Sequence, residues 1–208
     1  MPRVIALDPG SGVWKGSRMF GPSLNRLKTY LANPDPLAEV AGVIALVVAA
    51  NQPFYPLYLH AIAGTAAAPA WLTLLVTPAF AAVPWLARKR SLAGRALLPV
   101  AGVVSTMVGA KLMGPGAAAE AFLLPCALLA AALFRPSERW AALALLAVVA
   151  LAYFAFDPAL GAPICAFTPE RATSIARLNG VSVAGLLAFI GFQLSGVFAR
   201  AEAPAPGA

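Results

Sequence analysis

A nearly unbroken apolar run from Val40 to Ala50 is the feature that most constrains how this chain folds. A helix needs about 20 residues to cross the hydrocarbon core of a bilayer, so a helix that enters near Leu37 places Asn51 in the far half of the membrane. The segment after the run reads Asn51-Gln52-Pro53-Phe54-Tyr55-Pro56. Each proline removes a backbone donor and clashes with the preceding helical turn. We therefore expect a bent or open helix here, whose polar groups and free carbonyls are enclosed by other helices.

Composition assigns the chain to the membrane proteins. Of its 208 residues, 61% are hydrophobic and 11% are charged, and the mean hydropathy is +0.80. Soluble domains carry roughly 25% charged residues, so a water-soluble globule of this composition would lack polar surface. The net charge of +7 does not indicate nucleic-acid binding, because the basic residues cluster at the ends of apolar segments and do not form a stripe on a soluble face.

Six apolar segments are predicted as transmembrane helices, which makes the chain an all-α, polytopic six-helix bundle. The segments cover residues 37–59, 69–87, 96–113, 117–134, 138–156 and 177–199. A basic arm, residues 1–36, precedes this transmembrane domain of residues 37–199, and a short tail, residues 200–208, follows it.

The basic residues predict which side of the membrane each terminus faces. The arm, the loop after the second span, the loop after the fourth span and the tail hold five, four, two and one of them, which makes 12 of the 15 Lys and Arg residues. Clustered basic residues favour the cytoplasmic side of a membrane. Both termini are therefore predicted to be cytoplasmic, with the chain in a bacterial inner membrane.

Shorter patterns predict local structure. Within the arm, Ser23 either caps an amphipathic helix that lies on the inner leaflet or belongs to a poorly ordered basic tail. Lys111, near the far end of the third span, is expected to extend to the lipid headgroups or to pair with Glu120. Cys126 and Cys165 are expected at different depths, and therefore unpaired.

Polar side chains at membrane depth form the candidate site. The predicted ligand-binding residues are Asn51, Gln52, Tyr55, His60 and Asn179, because polar groups inside a membrane are costly and often functional. Amides beside a broken helix can hydrogen-bond a small ligand or coordinate a cation. The alternative is that they bond to each other or to freed carbonyls and hold the bundle together. For His60, the alternative is an ordinary residue of the membrane interface.

No cofactor, metal site or catalytic residue is predicted. His60 is the only histidine of the chain, whereas a b-type haem ordinarily has two axial ligands. Two cysteines without a matching histidine pattern do not make a zinc site. The sequence contains no nucleophile–base pair, phosphate-binding loop or paired carboxylates, so a catalytic function is not expected.

Five short features carry a resemblance to a known family. They are Asn51 in the first helix, the Gly114-Pro115-Gly116 turn, Leu123-Leu124-Pro125 in the fourth helix, the inner loop from Phe134-Arg135 to Glu138-Arg139, and Asn179 in the sixth helix. Over about residues 25–200, the layout resembles the six-helix membrane sensor regions that precede the catalytic domains of some bacterial adenylate cyclases and sensor histidine kinases. In that family the last helix leads into a cytoplasmic linker and an output domain, whereas here a tail of small residues follows Arg200. This departure leaves open whether the chain is a detached sensor, an excised region or a relative with another function.

Three functional hypotheses follow. The first is a non-catalytic, homodimeric membrane sensor or regulator that binds a small or lipid-like ligand in the pocket around Asn51 and signals to a partner membrane or signalling protein. The second is a small transporter, in which two copies alternate access around proline-bent helices. The third is an assembly subunit of a larger membrane complex. The lipid bilayer is a partner in all three, and nucleic acid is a partner in none.

Overall fold

The computed structural model describes residues 21–155 and 160–202 of the chain. The predicted arm before Gly21, the end of the predicted fifth span at Phe156, the start of the following loop and the tail beyond Glu202 lie outside these ranges. Within them, every regular element is a helix and none is a β-strand, which confirms the all-α prediction. The chain divides into two units, Met1–Ala32 and Asn33–Ala208.

In the first unit, helix α1 covers Gly21–Leu31. The backbone of Ser23 lies inside the described helix and not before it, so Ser23 is not at the predicted N-cap position. Arg26 and Lys28 are exposed.

The second unit begins with a helical hairpin. Helix α2, Pro36–Asn51, and helix α3, Phe54–Ala63, form its first arm. A 3-10 segment, Gly64–Val76, and helix α4, Thr77–Lys89, form its second arm, which packs back along the first. The reversal falls at Gly64, whose φ of 62° and ψ of −143° lie in a region that glycine adopts easily and other residues do not.

Among its described residues, the second unit has four more long helices, and short 3-10 segments join some of them. The helices are α5 (Ser91–Met113), α6 (Leu123–Ala132), α7 (Arg139–Phe154) and α8 (Pro169–Glu202). The 3-10 segments are Pro115–Ala117, Ala119–Phe122 and Pro136–Glu138. Helix α5 packs against α2, α4, α6 and α7, which makes it the central helix of the unit.

Within the part of the chain that the structure describes, four helical stretches are long and apolar enough to cross a membrane, which makes the chain a helical, multi-pass membrane protein. They are Pro36–Lys89, Ser91–Met113, Pro136–Phe154 and Pro169–Val197. The first stretch is 54 residues long and contains the reversal at Gly64, and a shorter apolar helix covers Ala119–Ala132. The number of crossings and the side that each terminus faces stay predictions.

Several prolines lie in the first turns of helices, where they do little harm. Pro36 and Pro78 occupy such positions in α2 and α4, and Pro125 is the third residue of α6. The first-turn N–H groups of a helix have no intrahelical partner, so a proline there removes no hydrogen bond. At Pro78 and Pro125, the change of helix geometry takes the form of the 3-10 segments that precede α4 and α6.

A buried arginine lies where the ends of three helices meet. The Arg95 side chain is only 1% exposed although it carries a permanent charge. Its guanidinium donates two parallel hydrogen bonds to the Glu138 carboxylate, at 2.6 and 2.7 Å, and another to the Leu133 carbonyl at 2.6 Å. This bidentate geometry is the strongest that an arginine and a carboxylate form, so it offsets much of the cost of burying the charge.

Asp35 connects the start of α2 to the same group of side chains. Its carboxylate caps α2 by accepting from the Leu37 N–H at 3.1 Å, and it lies 3.4 Å from Arg95 Nε. The Ser91 hydroxyl donates to this carboxylate, and Arg135 Nη2 donates to it at 2.9 Å. We call Asp35, Ser91, Arg95, Arg135 and Glu138 the Arg95 cluster. The cluster fixes one end of the second unit, because its members lie at or beside the starts of α2, α5 and α7.

The substitution Arg95→Met tests how much the Arg95 cluster stabilises the fold. It keeps the bulk of the side chain but leaves the Asp35 and Glu138 carboxylates with the half-exposed Arg135 as their remaining cationic partner among the described residues. Removing one partner of a buried ion pair costs about 3–5 kcal/mol. We expect a loss of that size in the free energy of unfolding, measured by denaturant titration in detergent micelles.

Arg90→Met is the matched control, because it removes an exposed arginine from the same end of α5. Its cost should stay within about 0.5 kcal/mol. The double variant Arg95→Met with Glu138→Gln should recover part of the loss, since it also removes the carboxylate that has lost its main cationic partner. Equal losses of unfolding free energy in Arg95→Met and Arg90→Met would contradict a stabilising role of the Arg95 cluster.

Candidate functional site

A cavity of about 610 Å³ lies inside the second unit, between α2–α3, the second arm of the hairpin, α5, α6 and α8. Its volume falls within the roughly 300–1,000 Å³ that is typical of small-molecule sites. Three of the five predicted site residues, Asn51, Gln52 and Tyr55, line it. None of the described residues that line it carries a charge.

The cavity has a polar end and an apolar end. The polar end contains Asn51, Gln52, Tyr55, Ser105, Thr106 and Ser182, together with the apolar residues Met113, Ala119 and Phe122. The apolar end contains Ile44, Phe80, Leu98, Leu129 and Phe189. Helices α2 and α5 begin at the Arg95 cluster, and these apolar residues precede the polar ones along both helices. The apolar end is therefore the one nearer to the cluster.

The break between α2 and α3 places amides at the polar end. Pro53 and Pro56 have no N–H, so the carbonyls of Ala49 and Gln52 lose the donors that a continuous helix would supply. The Tyr55 N–H donates to the Gln52 carbonyl instead, at 3.3 Å. The backbone angles of Gln52 and Pro53 stay in the right-handed helical region. The predicted opening is thus a gap in the hydrogen-bond ladder, without an unwound loop.

Asn51 and Gln52 have different environments. Gln52 is buried, and its Nε2 donates to Ser105 Oγ at 3.3 Å. Asn51 is exposed although it lines the cavity, and no hydrogen-bond partner is found for its side chain among the described residues. It lies about 22 Å along α2 from Pro36 at 1.5 Å per residue. If α2 crosses a hydrocarbon core about 30 Å thick from Pro36, Asn51 lies at the depth of the lipid tails, where an amide without a partner costs roughly 2–7 kcal/mol.

Tyr55 and Asn179 form a hydrogen-bonded chain beside the polar end. The Tyr55 hydroxyl donates to Asn179 Oδ1 at 2.7 Å, and Asn179 Nδ2 donates to the Ala117 carbonyl at 2.7 Å. Asn179 is fully buried. Ala118, which follows Ala117 in the chain, has a φ of 52°. This left-handed conformation costs a residue with a Cβ roughly 1–2 kcal/mol. Asn179 therefore ties α3, this strained turn and α8 together, which is the structural role considered as the alternative for the predicted site amides.

The remaining predicted site residue, His60, lies away from the others. It is exposed and is not among the residues that line the cavity. The backbone stays helical through the break, and nine residues at 100° per residue place His60 about half a turn from Asn51. This geometry explains why the structure brings Asn51, Gln52, Tyr55 and Asn179 to one region and leaves His60 out.

Lys111 has a role that differs from both sequence predictions. Its Nζ donates to the carbonyls of Leu160 and Ala162 at 2.7 and 2.8 Å, so it anchors the loop before α8. The loop also bonds to the end of α5 through the Cys165 N–H and the Leu112 carbonyl at 2.8 Å. Backbone carbonyls of a loop are partners that no sequence pattern identifies. The predicted ion pair of Lys111 with Glu120 is therefore wrong, and its predicted contact with the lipid headgroups stays a prediction.

Sequence reasoning does not single out Ser105, the partner of Gln52. One signal for it exists in the chain: the hydroxyl pair Ser105-Thr106 lies 14 and 15 residues after the start of α5, and Asn51 lies 15 residues after the start of α2. If both helices begin at one membrane surface, these polar groups reach the same depth. The common surface is set by the Arg95 cluster, which the sequence analysis does not identify either.

Comparisons with known proteins add no assignment. No protein-family model matches the sequence, and no curated protein or solved structure matches it. The resemblance to the sensor regions of adenylate cyclases and histidine kinases remains a prediction. Within residues 21–155 and 160–202, no three His, Cys, Asp or Glu side chains meet in a way that would hold a metal ion. Function is therefore argued from the cavity and the residues around it.

Removing the Asn179 side-chain amide should destabilise the fold more than removing the Tyr55 hydroxyl. Tyr55→Phe deletes the hydroxyl that contacts Asn179 Oδ1 and, at 3.4 Å, Met113 Sδ, and it leaves the Asn179 amide bonded to Ala117. Asn179→Leu leaves both the Tyr55 hydroxyl and the Ala117 carbonyl buried without that partner, at about 1–3 kcal/mol for each unsatisfied group. The free energy of unfolding in detergent should show this order. The control is Tyr58→Phe, at an exposed position of the same helix, which should be about as stable as the unchanged protein. A Tyr55→Phe effect as large as that of Asn179→Leu would contradict the bonding scheme.

Proposed function

We propose that this chain is a six-pass membrane sensor or regulator without catalytic activity, which binds a small or lipid-like ligand in the cavity beside the α2–α3 break and signals to a partner. One observation carries the proposal: the Asn51 amide lines a cavity of about 610 Å³ at membrane depth without a hydrogen-bond partner among the described residues. A bound ligand supplies the partner that this amide lacks. The buried amide of Gln52 lies beside it and keeps one carbonyl for the same ligand.

Six crossings are supported by the way the helix starts meet. The two arms of the hairpin, α5, the segment 119–132, α7 and α8 are the proposed crossings. The Arg95 cluster contains residues at or beside the starts of α2, α5 and α7, which are the first, third and fifth of them. Alternate crossings must start on the same side of a membrane. The basic residues Arg88, Lys89, Arg90 and Arg139 lie at this end, and the excess of basic residues there assigns it, with both termini, to the cytoplasm.

The proposed topology predicts opposite labelling of two engineered cysteines. Ser137→Cys lies at the end of the second unit that contains the Arg95 cluster, and Gly116→Cys lies at the opposite end of that unit. Both positions are exposed. In intact cells, a membrane-impermeant maleimide should label Gly116→Cys at once and Ser137→Cys only after permeabilisation. The native thiols give little background, because Cys126 and Cys165 are buried and burial raises the pKa of the Cys165 thiol. Labelling of both positions from the same side would exclude the six-pass arrangement.

Ligand binding can act on the rest of the fold through the break. The α2–α3 junction lacks two ladder hydrogen bonds, so it is a weak point of the first arm. The Arg95 cluster holds one end of α2, and a ligand bonded to Asn51 and Gln52 therefore shifts α3 relative to α2. The exposed apolar faces of α7 and α8, which include Trp140, Leu151 and Phe192, are available to a partner membrane protein or to a second copy in a homodimer.

Replacing both break amides should empty the site. The double variant Asn51→Leu with Gln52→Leu removes the polar groups that orient a ligand, and a site built to hydrogen-bond its ligand loses about tenfold or more in affinity when that bonding fails. A small molecule that co-purifies with the protein in mild detergent, detected by solvent extraction and mass spectrometry, should fall by at least that factor.

The control for this experiment is His60→Leu, which makes a similar polar-to-apolar change on α3 outside the cavity. This variant should retain the co-purified molecule. The double variant should keep a monodisperse profile on size-exclusion chromatography, since leucine suits the apolar surroundings. If the double variant matches the unchanged protein both in thermal stability and in bound molecules, the proposed ligand site is wrong.

A further inference from the structure

The two ends of the cavity and the position of its mouth define the chemistry of its ligand. We infer that the cavity holds an uncharged lipid, with its hydrogen-bonding head at Asn51, Gln52 and Ser105 and its tail toward the Arg95 cluster, and that this lipid enters sideways from the bilayer between α2 and α8. The inference rests on the proposed function and adds the ligand class, its orientation and its route of entry.

The absence of charge in the described lining excludes a charged head. A charged group taken into a dry cavity needs a counter-charge or several hydrogen bonds. The nearest candidates are already committed, since Arg95 is paired with Glu138 and Lys111 is bonded to the loop carbonyls. A neutral head requires no counter-charge, and amides and hydroxyls satisfy its hydrogen bonds.

Free hydrogen-bonding capacity is concentrated at one place. Thr106 and Ser182 already donate to the carbonyls of their own helices, at 2.9 and 2.8 Å, and Tyr55 donates to Asn179. The groups left over are the whole Asn51 amide, the side-chain carbonyl of Gln52 and the hydroxyl proton of Ser105. These groups offer both donors and acceptors, which suits a hydroxyl or carbonyl head.

The mouth of the cavity faces the bilayer. Among the described lining residues, the exposed ones are confined to two elements, α2–α3 and α8. They are Val47, Ala50, Asn51, Phe54 and Gly185. Such an arrangement places the opening between these elements at the depth of the lipid tails. A Cβ added at Gly185 would meet no other atom within 4 Å, so a side chain there can occupy the mouth without disturbing the fold.

The experiment uses photoreactive twelve-carbon probes with the full chain in phosphatidylcholine nanodiscs. Two probes have an alcohol head and differ in the position of their diazirine, which lies beside the hydroxyl in one and at the tail terminus in the other. A third probe has a trimethylammonium head in place of the alcohol. After irradiation, peptide mass spectrometry maps the labels. The head diazirine should label peptides around Gln52 and Ser105, and the tail diazirine those around Phe80 and Leu129. The cationic probe should label these peptides about tenfold less, because its head lacks a counter-charge in the cavity.

Gly185→Phe should reduce labelling by both alcohol probes at least about fivefold, because the ring fills the mouth. Gly191→Phe is the matched control, since Gly191 is exposed on the same helix, has equally open space around its Cβ and does not line the cavity. If Gly185→Phe does not purify as a folded protein, Ala50→Phe blocks the mouth from the α2 side.

The outcomes separate this inference from the function on which it rests. If no probe labels the lining peptides above the lipid-facing peptides of α7, the ligand cavity itself is wrong. If lining peptides are labelled, but equally by the cationic probe or with head and tail reversed, the cavity binds ligands and the inferred class or orientation is overturned. Labelling that is unchanged in the variants at Gly185 and Ala50 overturns sideways entry.

Discussion

The burial of Arg95 is the constraint on which the arrangement of the second unit depends. A guanidinium does not lose its charge at any ordinary pH, so Arg95 is tolerated at 1% exposure only because Glu138 and Asp35 come to it. These acids lie 43 and 60 residues away along the chain. Satisfying one side chain therefore brings the starts of α2, α5 and α7 to a single level, and helices that begin at one level carry their residues to matching depths.

That common level explains why the site forms where it does. Asn51 and Gln52 end α2, and Ser105 lies at the corresponding height on α5. The Gln52–Ser105 hydrogen bond joins two polar groups that would each be costly alone at membrane depth. Below this bond, toward the Arg95 cluster, the same helices contribute only apolar side chains to the cavity, so its polarity changes along its length.

The parts of the fold that follow from local composition could be predicted from the sequence, and those that depend on distant partners could not. Apolar runs and prolines indicate the helices and the break at Pro53, because both act within a few residues. In the sequence Arg95 is one of several basic residues of a loop, since its charge indicates a membrane side and says nothing about Glu138. His60 lies close to Asn51 in the sequence, although the helical rotation separates their side chains. Lys111 binds backbone carbonyls, which every loop offers and no pattern distinguishes.

The size of the cavity argues that the space is used. A volume of this order is typical of small-molecule sites, and the exposed residues of the lining leave an opening through which an occupant can enter. Here about 610 Å³ lies beside helices that pack as closely as glycine allows: a Cβ at Gly102 would approach Cys126 Sγ to 2.6 Å. Close packing at Gly102 and open space beside it on the same helix are difficult to reconcile with a loosely assembled bundle. A molecule that occupies the space and bonds to Asn51 fills the opening and gives the amide its partner in one interaction.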